Sequence, residues 1–189
     1  MMQPDGGPLK RWISGLTALC VALAAWIYMG FVLPFRAVAA GRDVLAIRIA
    51  GYEAADVRDM AEFLRTHPDA AAIQHGLDTG PALVFAVASA ALLFLLLKRV
   101  KPGGIFFGRP IPPAGVFLLF CLPILYGLVG CGETILAMLV FPPAVPAEQS
   151  LAFASAVMPV LGRLKFLTLV VAVILLIRFA VLSRQPEPD

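Results

Sequence analysis

The chain is short of charge, of histidine and of cysteine, and each shortage closes off a class of function. Charged residues make up 14% of its 189 positions, against about 25% in an average soluble domain, so an ordinary water-soluble fold is excluded. There are two histidines and three cysteines. Cys20, Cys121 and Cys131 all lie inside apolar stretches, so neither a disulfide framework nor a Cys/His metal spacing is on offer, and they read as small packing residues. Catalytic signatures are missing too. No Ser/His/Asp arrangement, Walker glycines, paired helical aspartates or CxxC pair occurs, which argues against lipoprotein signal peptidase, ATPase and quinone-linked disulfide oxidase chemistry. No motif names a reaction, no metal or cofactor is expected, and a non-enzyme is favoured over an enzyme. The net charge of +3 is spread along the chain or set beside apolar runs, which excludes a nucleic-acid surface and marks the basic residues as topology signals.

What the chain has is long apolar runs, with 60% hydrophobic residues and a mean hydropathy of +0.90. A helix needs roughly 20 apolar residues to cross a hydrocarbon core. Four runs meet this, at residues 12–33, 81–97, 114–141 and 156–182, and they predict an all-α, four-helix membrane bundle forming one domain over residues 1–189. Trp12, Trp26 and Tyr28 suit interfacial positions in the first run, which follows Lys10 and Arg11. A secretory signal is the rival there, because Ala37, Val38 and Ala39 make an A-x-A pattern. The run is longer than a signal core of about 7–15 residues, so an uncleaved helix is favoured. Asp78 or Thr79 is the expected cap before Pro81. Pro123 predicts a kink in the third run, and Pro142 and Pro143 its stop.

Residues 35–80 form a polar segment between the first two runs. Within it Val57, Met60, Phe63 and Leu64 recur at helical spacing, which predicts an amphipathic helix over 54–66 that Pro68 ends. Residues 44–49 read as a short extended piece. Residues 98–113 form a loop with four basic residues, no acid, and too many prolines and glycines for a helix. Counting Lys and Arg in short loops places that loop and both termini in the cytoplasm of a plasma or inner membrane, and residues 35–80 outside it.

The chemistry-bearing residues are Glu133 in the third run and Arg163 and Lys165 in the fourth. Counted along antiparallel helices, they reach similar depth. Glu133 shares a face with Tyr126, Gly130 and Ala137, and Lys165 with Met158, Gly162, Thr168 and Ala172. A lone charge at mid-bilayer costs about 2.5–3.5 kcal/mol, so Glu133 is expected to be paired with Lys165, while Arg163 points elsewhere towards headgroups. A structural ion pair, even a wet one at the interface, is favoured over a ligand or proton site. Gly127, Gly130, Gly132, Ala86 and Ala90 read as helix-packing contacts. His67 and His75 read as exposed loop residues rather than metal ligands.

From Gly51 onward the chain resembles uncharacterised bacterial four-helix inner-membrane proteins. The resemblance rests on Gly51, Tyr52, Val57 and Leu64 at the amphipathic helix, Leu77 and Asp78 before the second run, Glu133 in the third, and Lys165 and Phe166 in the fourth. It covers about two thirds of the chain. Members often carry a further acid one turn before the glutamate and an asparagine after it, where this chain has Gly130 and Thr134. The resemblance implies the four-helix layout and no activity. The favoured function is a non-enzymatic accessory or partner-binding subunit, in contact with the lipid bilayer and with a membrane-protein partner or a second copy of itself. The alternative is a proton-coupled transporter or membrane enzyme for a small lipophilic substrate, using a pocket of Tyr126, Glu133, Thr134 and Lys165.

Overall fold

The structure is a computed structural model that describes residues 7–100, 105–106, 109–144 and 146–182. It is all-helical apart from one short ladder. The first helical stretch comprises α1 (Gly7–Ile27), a π turn (Tyr28–Val32) and α2 (Leu33–Val38). Pro34 explains the π turn. It has no N–H and its ring crowds the preceding turn, and the helix absorbs this by widening, with the Leu33 N–H donating to the Tyr28 carbonyl. Next come α3 (Ala54–Thr66), α4 (Pro68–Asp78) and α5 (Pro81–Val100). Two-residue strands β1 (Ile105–Phe106) and β2 (Arg109–Pro110) pair antiparallel, and α6 (Pro113–Val140) and α7 (Glu148–Leu182) complete the chain.

Four stretches are long and apolar enough to cross a membrane, at 7–38, 68–100, 113–140 and 148–181. Their packing follows chain order, α1 on α5, α5 on α6 and α6 on α7. Small residues set the closest approach. A Cβ at Gly127 would lie 2.8 Å from that of Ala90, and one at Gly130 3.3 Å from that of Ala86, so α5 and α6 touch almost backbone to backbone.

Several boundaries differ from the sequence reading. Pro68 ends the 54–66 helix as expected but also opens α4, because proline is well suited to a first helical turn, and only His67, at φ −127° and ψ 82°, separates α3 from α4. Asp78 therefore ends a helix instead of capping the next one. Residues 44–49 contain a 3₁₀ turn at Leu45–Ile47 rather than an extended piece. Helix α5 continues through Lys98 and Arg99 to Val100. The end of α6 at Val140 agrees with the expected stop at Pro142 and Pro143. Helix α7 begins eight residues before the expected 156, because Ala154 and Met158 are buried where α3 packs on it. The tails at 1–6 and 183–189 and the basic-loop positions 101–104 and 107–108 lie outside the described residues.

The largest apolar cluster sits at one end of the bundle. It joins Phe35, Val44, Leu45 and Tyr52 to Val57, Met60 and Leu64 of α3, to Ala70 and Leu77 of α4, and to Val140 and Met158. This end is called the head below, and the remaining lengths of α1, α5, α6 and α7 the stem.

Candidate functional site

Where head meets stem, one tyrosine, one glutamate and one lysine close on each other. Glu133, two turns before the end of α6, is 3% exposed, and the Lys165 side chain is 13% exposed. Lys165 Nζ donates to Glu133 Oε2 at 2.5 Å and to the Ala46 carbonyl at 2.9 Å. The Tyr52 hydroxyl lies 2.7 Å from Glu133 Oε1 and 2.9 Å from the Met158 carbonyl, and shares its one proton between these acceptors. Burial, then the charge of Glu133 and the hydrogen bond to it, hold the Tyr52 phenol far above its ordinary pKa, so it stays a donor. The pair is thus largely covered by protein.

Glycines make the room. Gly51 adopts φ of +84°, the left-handed region that L side chains avoid, and the turn there delivers Tyr52 into the bundle. A Cβ at Gly162 would lie 3.0 Å from the Tyr52 ring and 3.3 Å from Glu133 Oε1, so the hydrogen bond between them needs a residue without a side chain at that point.

A second buried acid lies beyond Glu133. Asp78 is 2% exposed and Gln74, one turn earlier on α4, 3%. Gln74 Nε2 donates to Asp78 Oδ2 at 2.8 Å, while the other end of the amide, Oε1, is buried with no partner among the described residues. These two side chains, Glu133 and Thr134 line a small cavity of about 10 Å³, about enough for one water molecule.

On the opposite side of Lys165 a far larger space opens. A cleft of about 500 Å³ runs between α1, α5, α6 and α7, walled by side chains such as Ile27, Phe85, Leu93 and Leu169. Its polar groups are few: Tyr28, Ser89, Tyr126, Thr134 and Lys165. Lys165 has two of its three N–H groups on Glu133 and Ala46, and its ammonium sits 4.9 Å from the centre of the Phe166 ring.

Of the residues singled out in the sequence, Glu133 and Lys165 touch directly, and Thr134 lines both spaces. Tyr126 lines the cleft two turns along α6 from Glu133. Arg163 is exposed and lays its stem across Gly51, away from the cluster. His67 sits at the break between α3 and α4, its ring stacked on Phe63, and His75 is a half-buried residue of α4 rather than a loop residue. Tyr52, Gln74 and Asp78 were not recognised as site residues. Tyr52 and Asp78 carried a signal as part of short Gly-Tyr and Leu-Asp patterns, and Gln74 only its one-turn spacing from Asp78. Among the described residues no three His, Cys, Asp or Glu side chains converge as metal ligands would.

The chain matches no family model, no curated protein and no solved structure. The class that stands is therefore the one the fold defines, an all-helical protein with four helices of membrane-crossing length and apolarity. A functional reading has to come from the site itself.

Proposed function

We propose that this protein is a multi-pass membrane protein, with both termini in the cytoplasm and the head outside a bacterial inner membrane, that binds a small lipophilic molecule in the cleft between α1 and α7. The observation that carries the reading is the cleft itself. Its volume of about 500 Å³ lies within the roughly 300–1,000 Å³ of small-molecule sites, and its apolar walls with a few converging polar groups are their usual composition. Lys165 stands at the polar end. With Glu133 already offsetting its charge, its remaining N–H suits a neutral acceptor such as a carbonyl or hydroxyl better than a strong anion. The ligand class is thus an apolar body with one oxygen-bearing head, entering sideways from the lipid.

The accessory-subunit reading, favoured on sequence, leaned on an amphipathic helix with a free apolar face. In α3 three residues of that face, Val57, Met60 and Leu64, are buried within the protein, and the fourth, Phe63, is half-buried. This leaves less of the α3 surface for a partner, and the cleft is taken as the stronger support.

The test is mass spectrometry of the full chain extracted in native-lipid nanodiscs, recording small molecules that stay bound. Ala82→Trp, which puts an indole into the cleft from α5, is expected to release the molecule while the fold persists. Equal retention by the variant, or no retained molecule at all, overturns the reading. A stoichiometric protein partner in its place restores the accessory-subunit reading.

A further inference from the structure

The larger cleft leaves the small cavity on the other side of Glu133 unexplained. It holds an imbalance of charge. Glu133 is matched by Lys165, but Asp78, equally buried, meets only the amide of Gln74, and no described cation lies within ion-pair distance of it. The other charged groups around it are already committed or turned outward. Arg36 on α2 pairs with Asp43, Arg48 pairs with Asp56 of α3, and His75 on α4 itself is half-exposed. From α6 and α7 the facing groups are Glu133 and its partner Lys165, and from the 44–52 connection, behind Glu133, the phenol of Tyr52. Two acids and one base leave this interior one negative charge in excess, and a buried carboxylate without a counter-charge takes up a proton rather than remain ionised.

The second anomaly is the orphan oxygen of Gln74. The two ends of a carboxamide are told apart only by their hydrogen bonds. The 2.8 Å contact to Asp78 Oδ2 serves equally well with the amide turned, the Asp78 carboxyl donating its O–H to Oε1. One proton then removes both anomalies: the excess charge is cancelled and the buried oxygen gains a donor. The turned amide presents its N–H groups to the cavity, where the Glu133 carboxylate and the Thr134 hydroxyl oxygen are the acceptors.

We propose that Asp78 and Glu133 form a buried two-acid site that holds one exchangeable proton, resident on Asp78 in the arrangement described and bonded there to Gln74. The site goes beyond ligand binding in the cleft and does not depend on it. Transfer of the proton across the cavity from Asp78 Oδ to Glu133 Oε moves the negative charge from Glu133 to Asp78, with no change in total charge and no redox partner. It also detaches Lys165 from its counter-ion, so the ammonium facing the cleft is controlled by where the proton sits.

The experiment is infrared difference spectroscopy of the full-length protein in lipid nanodiscs, in H2O and D2O near neutral pH. The expected result is a protonated-carboxyl C=O stretch that shifts on deuteration and is lost in Asp78→Asn, whose carboxamide mimics the neutral acid and keeps the thermal midpoint unchanged. If Asp78→Asn fails to fold, Gln74→Met decides: removal of the acceptor shifts the carboxyl stretch, and an unshifted band overturns the proposal. No protonated-carboxyl band in the native protein, or one that survives in a folded Asp78→Asn, overturns it too. So does a thermal midpoint that rises in NaCl over choline chloride and loses that rise in Asp78→Asn, which would put a metal cation where the proton is proposed.

Discussion

Head and stem are built from the same chain by different means. In the head, α3, α4 and the 44–52 connection enclose an apolar core with fully buried members such as Phe35, Val57 and Leu64, and every polar group of the Tyr52, Glu133 and Lys165 cluster has a partner there. In the stem, only 17–28% of the residues in each apolar window are buried in the protein, and α5 and α6 meet through glycine and alanine. The head therefore has the organisation of a small soluble domain stabilised by removing side chains from water. The stem leaves most of its apolar surface uncovered by protein, as a bundle proposed to face lipid would, and its helices meet by close van der Waals approach. The site lies at the seam, where the tight half supplies Tyr52, Gln74, Asp78 and the Ala46 carbonyl, and the loose half supplies Lys165 and a cleft.

The comparison breaks most severely if the seam is cut. Lys165→Met leaves Glu133 buried with no cation and is expected to destabilise the protein by about 3–5 kcal/mol, read from thermal or denaturant unfolding in nanodiscs. The double variant Glu133→Leu/Lys165→Met recovers much of that loss, since a well-packed apolar pair of similar volume is often as stable as a buried ion pair. A double variant no better than the single one would mean that the cluster ties head to stem by more than charge. Tyr52→Phe comes next. It removes the one donor facing Glu133 Oε1 and the Met158 carbonyl, and the cost of leaving buried acceptors unpaired is about 1–3 kcal/mol. Protease sensitivity of the 44–52 connection should rise with it while the stem stays protected.

How much of this could be read beforehand follows the same division. The four long helices of the stem were legible because each is an apolar run of about 20 residues or more, the length and composition that a membrane-crossing helix requires. The α3 helix was legible from four apolar residues at helical spacing. Helix α4 was not: Pro68 ends one helix pattern and begins another, and Ala70, Ala71 and Ala72 carry too little contrast to display a face. The first two turns of α7 were hidden for a related reason, since Ser150, Ala152 and Ser155 look like loop until α3 is there to pack against. Glu133 and Lys165 announced themselves as charges in apolar runs. Tyr52, Gln74 and Asp78 did not, because each sits in a polar stretch where its type is ordinary and only the tertiary fold buries it.

In the stem itself the sharpest local test is Gly127→Ala. The added Cβ would lie 2.8 Å from that of Ala90, a rigid atom with no room to swing aside. Overpacking costs about 1–3 kcal/mol, and alanine returns about 1 kcal/mol of helix propensity over glycine. A net loss of up to about 2 kcal/mol is expected, and a stabilised variant would show that α5 and α6 separate freely.

The smallest expected effect separates the two regions most cleanly. Leu128 is 67% exposed on α6 and Leu64 is 1% exposed on α3, so leucine to alanine at each compares one chemistry in two surroundings. In the head, Leu64→Ala removes buried methyl groups and leaves a hole, at about 2–5 kcal/mol. In a stem inserted as proposed, Leu128 would face lipid in the folded protein and also in a helix that is inserted but not yet packed, so its contact with acyl chains would cancel between the two states. Leu128→Ala should then change the unfolding free energy by no more than about 0.5 kcal/mol. A loss comparable with that of Leu64→Ala would mean that Leu128 is covered by protein rather than lipid, and that the exposed face of α6 is a contact surface. That result would return a partner to the stem, on a face that the folded chain leaves open rather than on α3.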